Sequence, residues 1–288
     1  MGSLGFCDLA RAMTNNTQKT ALVLGGTGRT GRRVAAGLAA KGIPVRIGSR
    51  SATPRFDWED RGTWEPVLRD VGSAYVSYQP DLAIPEAAEA VGSFAELAVR
   101  NGVRRLVLLS GRGEIGSQRA EQAVQASGAE WTVVRASWFH QNFSEDFLVE
   151  SVRAGEVVLP VDEVAEPFVD AEDIAEVAVA ALTEDGHAGE VYEVTGPRLL
   201  TFAEAVGEIA AATGRDVEYL PVTVEQFSAG MAEQGVPAEV VAMLGHLFTE
   251  VLDGRNAHLA DGVRRALGRE PRDFRDYAKR TAPTGVWS

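Results

Sequence analysis

The sequence predicts an α/β protein: a doubly wound parallel sheet followed by a smaller, mostly helical lobe at the C-terminal end. Three observations support this fold class. Short apolar runs alternate with helix-like stretches through most of the chain, which is the pattern of βαβ units. A glycine-rich turn follows the first apolar run. From Leu200 onwards the pattern becomes helical, and 288 residues suffice for one large domain with a smaller lobe.

The strands and helices of the sheet follow one another in a regular order. The predicted strands are 20–24, 44–48, 74–77, 106–110, 131–134 and 190–194. The predicted helices between them are 29–40, 85–101, 119–126 and 169–182. Strands that alternate with helices pair in parallel, because each crossover helix returns the chain to the same end of the sheet.

The C-terminal lobe is predicted from its capping signals and turns. Thr201 and Glu204 fit a capping box, which predicts a helix from there to Thr213. A strand is expected at 216–220, with further helices at 224–234, 237–252, 260–267 and 271–281. We therefore divide the chain into a disordered leader at 1–18, a sheet domain at 19–196 and a helical lobe at 197–288, to which part of the 138–165 loop also belongs.

The charge and the cysteine content exclude several classes of protein. The net charge of −13 argues against binding nucleic acid or an anionic membrane surface, because both require clustered cations. No apolar run approaches the roughly 18 residues that span a bilayer. The single cysteine, Cys7, excludes an internal disulfide, and no residues have metal-ligand spacing. We expect a cytoplasmic protein without a bound metal, either a monomer or a homodimer.

The turn after the first strand carries a phosphate-binding motif, LGGTGRTGRR at 24–33. Two templates fit it, G-x-G-x-x-G and G-x-x-G-x-x-G, and both remain open. Such a loop between a strand and a helix lets the backbone approach the pyrophosphate of a dinucleotide. The segment 19–196 is therefore predicted to be an NAD(P)-binding Rossmann domain. The cofactor-binding candidates in the loop are Gly25, Thr27, Gly28, Arg29, Thr30 and Gly31.

The end of the second strand predicts which dinucleotide binds. Proteins that bind NAD usually carry an acid there for the ribose 2′-hydroxyl, and none is present here. Arg50 can contact a 2′-phosphate and Ser49 can donate a hydrogen bond to it, so NADP(H) is the predicted cofactor. Asp57 is a candidate acceptor for the adenine amino group. Tyr78 follows the third strand and is expected to line the cofactor groove.

The usual proton donor of short-chain reductases, a tyrosine with a lysine four residues later, is absent from the sequence. Ser110, at the end of the fourth strand, matches the usual catalytic serine in position but stands alone; it could also contact the cofactor. A carbonyl needs a proton when it accepts hydride, whereas an iminium is already cationic and yields a neutral amine. The absence favours a substrate of the second kind, with Tyr78 or Ser110 available if a proton is required.

Several longer stretches are similar to one family. They are 22–36, 47–52, 103–110, 130–145, 167–178, 195–202 and 267–278. The most specific segments are WFHQNFSE at 138–145 and GREPRDFRDYA at 268–278. With these motifs the chain resembles the NmrA-like, atypical short-chain dehydrogenase/reductases, and within them the ergot-alkaloid-type reductases, which make agroclavine or festuclavine by reducing an iminium.

The resemblance implies a Rossmann domain, a smaller substrate lobe and a nicotinamide cofactor. It also implies that Arg50 contacts the 2′-phosphate. The implied substrate wall consists of Trp138, Phe139, His140 and Asn142, and His140 is also a catalytic candidate. Relatives that reduce quinones often carry a lysine or histidine near 116–117, where this chain has glycine and serine. Other members of the family are redox sensors that bind NADP without turnover and hold a partner protein.

The leading hypothesis is an NADPH-dependent oxidoreductase in specialised metabolism. Its substrate would be a small hydrophobic or aromatic iminium, an imine or a related conjugated electrophile. Three alternatives remain open: an NADP(H)-sensing regulatory protein without turnover, a quinone reductase, and a cyclase or isomerase that retains its cofactor.

Overall fold

A computed structural model describes residues 19–288, so the expected leader at 1–18, with Cys7, lies outside the described residues. The strands are β1 (Thr20–Leu24), β2 (Val45–Gly48), β3 (Val71–Val76), β4 (Arg105–Gly111), β5 (Glu130–Ala136), β6 (Glu156–Leu159), β7 (Ala165–Glu166), β8 (Glu190–Val194), β9 (Leu200–Thr201) and β10 (Glu218–Pro221). The helices are α1 (Arg29–Ala40), α2 (Trp64–Leu68), α3 (Ala87–Arg100), α4 (Ile115–Gln125), α5 (Leu148–Ala154), α6 (Ala171–Thr183), α7 (Phe202–Thr213), α8 (Val224–Glu233), α9 (Ala238–His246), α10 (Gly262–Leu267) and α11 (Phe274–Thr281).

The central sheet is parallel and has the order β2-β1-β3-β4-β5-β8. Side chains of successive strand residues point to opposite faces. Ala21 and Val23 of β1 therefore pack in the core formed with α1 and α6, while Leu22 and Leu24 pack in the core formed with α2, α3 and α4. Because helices cover both faces, the prediction of a doubly wound parallel sheet is confirmed.

The strand order places a crevice at the carboxyl ends of β1 and β3. The chain passes from β1 to β2 on one side and then returns to β3 on the other side of β1. The crossovers on the two sides leave the sheet edge in opposite directions, so the loops after β1 and β3 diverge. In open α/β sheets, ligands bind in the crevice that this divergence creates.

A second core lies beside the carboxyl ends of the strands. Segments from 138–168 and 200–287 supply its buried side chains, which include Phe143, Phe168 and Phe202. The C-terminal end of the chain completes this core, because Trp287 is buried and its indole N–H donates a 2.7 Å hydrogen bond to the carbonyl of Phe143. The core of the lobe is therefore built from two parts of the chain, one before β8 and one after it.

The lobe differs locally from the sequence prediction. The helix predicted at 237–252 consists of α9 followed by a π-helical turn, Leu247–Val251. The predicted strand at 216–220 is β10, which pairs in parallel with β6, a strand that the sequence pattern did not reveal. Such pairing joins segments distant in sequence, so local propensity does not determine it. α10 packs on α6 and β8 of the central sheet.

Among residues 19–288, no helix is both long enough and apolar enough to cross a membrane. The same residues contain no group of three or more His, Cys, Asp or Glu side chains placed to hold a metal ion.

Candidate active site

The loop between β1 and α1 is built so closely that only glycine fits at two positions. Gly25 has φ +65°, and its carbonyl accepts a 2.8 Å hydrogen bond from the Gly28 amide. A Cβ on Gly31 would lie 2.2 Å from the Gly25 oxygen. α1 begins at Arg29 with no side-chain cap and no acid in its first turn. Its free N–H groups and the helix dipole therefore favour an anion at this point.

A cleft of about 520 Å³ runs from this loop to the helices of the lobe, within the size range of ligand sites. The predicted site residues that line it are Gly25, Gly28, Arg29, Thr30, Tyr78, Ser110, Trp138, Phe139 and Asn142. Those outside its lining are Thr27, Gly31, Ser49, Arg50, Asp57 and His140. The fold therefore brings the glycine loop, the ends of β3 and β4 and the 138–142 segment to one cavity.

The residues predicted to bind the adenosine end lie beyond β2, outside the cleft. Arg50 is exposed, and no hydrogen bond or ion pair involves it among the described residues. Ser49 lies 3.3 Å from Ser51, measured between their hydroxyl oxygens. Asp57 instead organises its own loop: its carboxylate pairs with Arg55 at 2.6 Å. Of these residues, Arg50 retains an uncompensated charge for a phosphate.

Arg29 and Thr30 have protein partners within the site. Arg29 forms an ion pair with Asp146 at 2.6 Å and donates a hydrogen bond to Asn142. Its guanidinium also lies over the Phe139 ring, 5.5 Å from the centroid. Arg29 thus ties the start of α1 to the 139–146 segment. The buried hydroxyl of Thr30 accepts a 2.9 Å hydrogen bond from Tyr75.

Tyr78 lines the cleft, but its surroundings make it a weaker acid. Burial raises its pKa, and the negative charges of Glu86 and Glu59 raise it further. A lysine beside a catalytic tyrosine would have the opposite effect. The ring packs on Trp58, with 5.0 Å between the centroids, and Trp58 Nε1 donates to the carbonyl of Ser77.

Ser110 belongs to a buried charge network at the end of β4. Its hydroxyl donates a 2.6 Å hydrogen bond to Glu121 of α4. The Glu121 carboxylate is 1% exposed and receives two hydrogen bonds from Arg135, at 2.8 and 2.6 Å. Arg135 also contacts Glu193 at 3.2 Å. The serine is therefore held by a carboxylate that an arginine neutralises.

The segment after β5 divides its aromatic residues between the cleft and the lobe core. Trp138 lines the cleft, and its ring packs on Phe202 and Phe248 with centroid distances of 5.5 and 5.9 Å. Its indole N–H is buried and has no hydrogen-bond partner among the described residues. Phe139 and Asn142 line the cleft beside it. This part of the predicted substrate wall lies at the cavity.

His140 points into the protein interior. The residue is 0% exposed, and its ring packs on Phe274 and Tyr277. Nε2 lies 2.9 Å from the Phe168 carbonyl oxygen, so Nε2 carries a proton and donates. Its Nδ1 lies 3.8 Å from Asp170. The short 3₁₀ helix, His140–Phe143, turns the ring away from the cleft, which gives it a place in the lobe's packing.

Asp170 links the 140–143 turn to α6 and α11. Its carboxylate accepts hydrogen bonds from Gln141 and from the backbone amide of Glu172, and pairs with Arg280 at 2.8 Å. Burial acts to raise the pKa of Asp170, but the interactions with His140, Glu172 and Gln141 hold it well below its usual range. Asp170 is therefore the ionised N-cap of α6.

Comparisons with known proteins identify the family. No protein-family model matches the chain. The agroclavine dehydrogenase of Claviceps fusiformis is 32% identical over 276 residues, covering 90% of this chain and 96% of that protein. The NAD(P)H azoreductase of Xenophilus azovorans is 31% identical over 277 residues, covering 90% and 96%.

Solved structures share the fold. The Citrobacter sp. triphenylmethane reductase complexed with NADP(H) aligns with a TM-score of 0.74 at 18% identity, over 92% of this chain and 99% of that chain. NmrA, a negative transcriptional regulator in complex with NADP, aligns with a TM-score of 0.71 at 18% identity, over 93% and 97%.

The chain belongs to the NmrA-like atypical short-chain dehydrogenase/reductases. It is an oxidoreductase, and it lacks the tyrosine–lysine pair of the wider superfamily.

The cleft also contains two acids that the sequence analysis did not identify as candidate site residues. Glu114 and Glu166 both line the cavity. Burial raises the pKa of Glu114 to about 7, with Asp81 adding to the rise and the Ser117 hydroxyl opposing it. Burial raises the pKa of Glu166 to about 7 as well, opposed by Arg112 and assisted by Asp253. The available signal for Glu166 was a charged residue inside an otherwise apolar stretch, VAEPFV at 164–169.

Arg112 joins the segment after the π-helical turn to the cleft through hydrogen bonds. It is 3% exposed and donates to Ser137 and to the backbone carbonyls of Asn256 and His258. Its Nη2 lies 2.8 Å from Nε2 of His258, so that imidazole nitrogen accepts. Its Nε donates to Glu193. All three nitrogens of the Arg112 guanidinium therefore have partners within the protein.

Proposed function

We propose that the protein is an NADPH-dependent reductase that delivers hydride to a small hydrophobic or aromatic iminium, or to a related electrophile already prepared to accept it. The observation that carries the proposal is the network at the end of β4. Ser110 donates to Glu121, and Arg135 neutralises that carboxylate. This arrangement provides neither an activated tyrosine nor a free serine as a proton donor at the end of β4, which favours a substrate that needs no proton from this place.

The proposed cofactor fits the residues present. The glycine loop leaves no room for side chains where a pyrophosphate would approach, and the first turn of α1 carries no acid. Arg50, with its uncompensated charge, and Ser49 would hold the 2′-phosphate of NADPH. When bound, the nicotinamide of NADPH supplies a hydride. The similar azoreductase is an NAD(P)H azoreductase, and the triphenylmethane reductase was solved with NADP(H). Both support NADPH as the proposed cofactor.

The chain's own contribution is to position the substrate and to exclude water. Trp138, Phe139, Val240, Leu244 and Leu247 supply apolar side chains to the cleft lining. An apolar, flat molecule in contact with them would lose its hydration shell and be held near the glycine-loop end of the cavity. Such positioning converts a bimolecular hydride transfer into an effectively unimolecular step.

Steady-state oxidation of NADPH tests the function. The substrates are an N-methyl-dihydroisoquinolinium salt and a ketone of the same size, a tetralone. We expect kcat/KM for the iminium to exceed that for the ketone by about a hundredfold or more, since a general acid contributes about 10²–10⁴-fold to carbonyl reduction. Faster reduction of the ketone, or no oxidation of NADPH with any iminium, would contradict the proposal.

A regulatory protein without turnover is the second candidate, because NmrA shares the fold and is described as a negative transcriptional regulator. Under this alternative the protein binds NADP(H), discriminates its redox forms and oxidises NADPH with none of the iminium, quinone or azo compounds offered. The same assay, combined with a titration of NADPH and NADP⁺, separates the two functions.

The partner and the compartment belong to the same proposal. We propose a hydrophobic small molecule as the ligand of the cleft, a monomer or homodimer as the functional form and the cytoplasm as its location. The negative charge of the chain, −13, supports the absence of a nucleic-acid partner.

A further inference from the structure

Glu166 is a buried acid that lines the cleft. It ends β7, whose backbone pairs with Leu200 of β9. The residue is 1% exposed and lines the cavity together with Trp138, Leu244 and Val251. Its Oε1 is buried without a hydrogen-bond partner within the part of the chain that the structure describes. A buried polar atom of this kind costs free energy unless a ligand or another group satisfies it.

The one cation among the groups that shift the pKa of Glu166, Arg112, has other partners. Arg112 is close enough to influence it electrostatically, but the guanidinium donates to Glu193, Ser137 and the 256–258 segment. Asp253, the other charged group that acts on Glu166, pairs with Arg255 at 2.7 Å. Among the described residues, Glu166 therefore has no ion-pair partner of its own.

A second unpartnered polar atom lies in the same cavity. Three buried side-chain nitrogen or oxygen atoms lack a hydrogen-bond partner among the described residues, and two of them, Trp138 Nε1 and Glu166 Oε1, belong to residues that line the cleft. The third belongs to His140, outside the cleft lining. The carboxylate oxygen of Glu166 can accept from a cationic group, and the ring face of Trp138 can lie against an organic cation. The indole N–H of Trp138 is a donor and would require an acceptor atom of the cofactor or substrate.

We propose that Glu166 is the counter-ion for the cationic nitrogen of the substrate and thereby selects cationic over neutral molecules of the same shape. The residue acts in binding and specificity. No bond to it forms or breaks, and the proton that it releases when a cation binds passes to solvent. The reaction to which this specificity applies rests on the proposed function, whereas the binding preference can be measured without turnover.

Protonation of Glu166 gives the proposal a second signature. Burial raises the pKa of its carboxyl to about 7, with Arg112 opposing and Asp253 assisting the rise. Only the ionised carboxylate pairs with a cation, so the affinity for a cation should fall as the pH drops through this value. Over the change from pH 8 to pH 6 the ionised fraction falls about tenfold, and the affinity for the cation should fall by the same factor.

Calorimetric titration tests the preference in the presence of the redox-inert tetrahydro analogue of NADPH. The probes are N-methylquinolinium, a planar cation, and quinoline, which is neutral at pH 8. We expect the wild-type protein to bind the cation more tightly. Glu166→Gln should weaken binding of the cation by about tenfold or more, leave quinoline within about twofold and remove the pH dependence. The control Glu163→Gln removes the same charge from an exposed position in the same loop and should retain the wild-type values.

Each result has one meaning. An unchanged preference in Glu166→Gln, or a pH-independent affinity of the wild-type protein for the cation, would overturn the proposal. Glu114 lines the same cavity and its pKa is also raised to about 7, so a pH-dependent affinity is assigned to Glu166 only by the difference between wild type and Glu166→Gln. A pH-independent wild-type affinity overturns the proposal without any substitution. If Glu166 controls cation binding but NADPH is not oxidised with an iminium, the proposed function fails and this inference stands. If the iminium is reduced with equal KM by wild type and Glu166→Gln, the reverse holds.

Discussion

The hydroxyl of Ser110 donates a 2.6 Å hydrogen bond to the carboxylate of Glu121. That carboxylate also receives two hydrogen bonds from Arg135, so the three residues join β4, α4 and β5 in one network. The buried charge of Glu121 is thereby compensated, and the Ser110 hydroxyl is committed to it as a donor. Under the proposed function, Ser110 is therefore not the proton donor for a substrate.

Removing the centre of this network should destabilise the protein. Glu121→Ala leaves Arg135 with only the longer contact to Glu193, and breaking a buried pair on one side costs about 3 kcal/mol. The free energy of unfolding in urea measures the loss. Gln122→Ala, one residue further along the same helix and exposed, is the control and should change stability by less than about 0.5 kcal/mol. Equal effects of the two substitutions would show that the network does not stabilise the fold.

Gly31→Ala should weaken cofactor binding. The added Cβ would lie 2.2 Å from the Gly25 oxygen, so the loop must open where the phosphates would bind. We expect NADPH affinity to fall by more than about tenfold, together with a stability loss of about 1–3 kcal/mol from overpacking. The matched control is Gly207→Ala in α7, where a Cβ meets nothing within 4 Å. It should keep NADPH binding and gain up to about 1 kcal/mol of stability. Retained affinity in Gly31→Ala would argue against the glycine loop as the phosphate site.

Arg50 should decide between the two dinucleotides. Arg50→Ala removes a charge that has no protein partner among the described residues, so stability should remain within about 0.5 kcal/mol. NADPH affinity should fall by about tenfold or more, since charge-assisted hydrogen bonds to a phosphate are lost, while NADH affinity changes little. Fluorescence titration with both cofactors measures the split, and Arg61→Ala, another exposed arginine after β2, is the control. Equal losses for NADPH and NADH would contradict the assignment.

The raised pKa of the buried Glu166 should make the free energy of unfolding depend on pH. Its pKa in the folded protein is raised to about 7, above the ordinary value of 4.5. The folded state therefore binds the proton more tightly, and this contribution to stability is present at low pH and is lost as the pH rises from about 4.5 through about 7. Glu166→Gln mimics the protonated carboxyl, so the variant should keep this contribution to stability at high pH.

The comparison of the two proteins by thermal unfolding gives the measurement. At pH 5 the melting temperatures of wild type and Glu166→Gln should be close. At pH 8 the variant should be the more stable, by a free energy on the order of 2–3 kcal/mol, which is the stability equivalent of the shifted pKa. A difference that is constant across this range would mean that Glu166 does not titrate as its burial implies.

Local features of the sequence predicted the glycine loop and the strand ends that the structure brings to the cleft. The spacing of Gly25, Gly28 and Gly31 depends on the steric limits of a single tight turn, and these limits act between neighbours in the chain. The absence of an acid at the end of β2 is likewise a local fact. The doubly wound sheet could be predicted as well, because each of its strands and helices is recognised from a short stretch of sequence.

Contacts between distant segments decided the rest. The pairing of Glu121 with Arg135, the burial of His140 against α11 and the pairing of β6 with β10 each join residues from different elements. A sequence pattern records which side chains are present, but not which of them find a partner in the interior.

The sequence by itself determined that this protein has a dinucleotide-type loop, a parallel sheet and no tyrosine–lysine pair. Only the tertiary structure decided that Ser110 is held by a carboxylate, that His140 is directed away from the cleft and that Glu166 is buried without a countercharge. The physical reason is that desolvation and ion pairing depend on the whole environment of a side chain, and that environment exists only after distant parts of the chain have packed together.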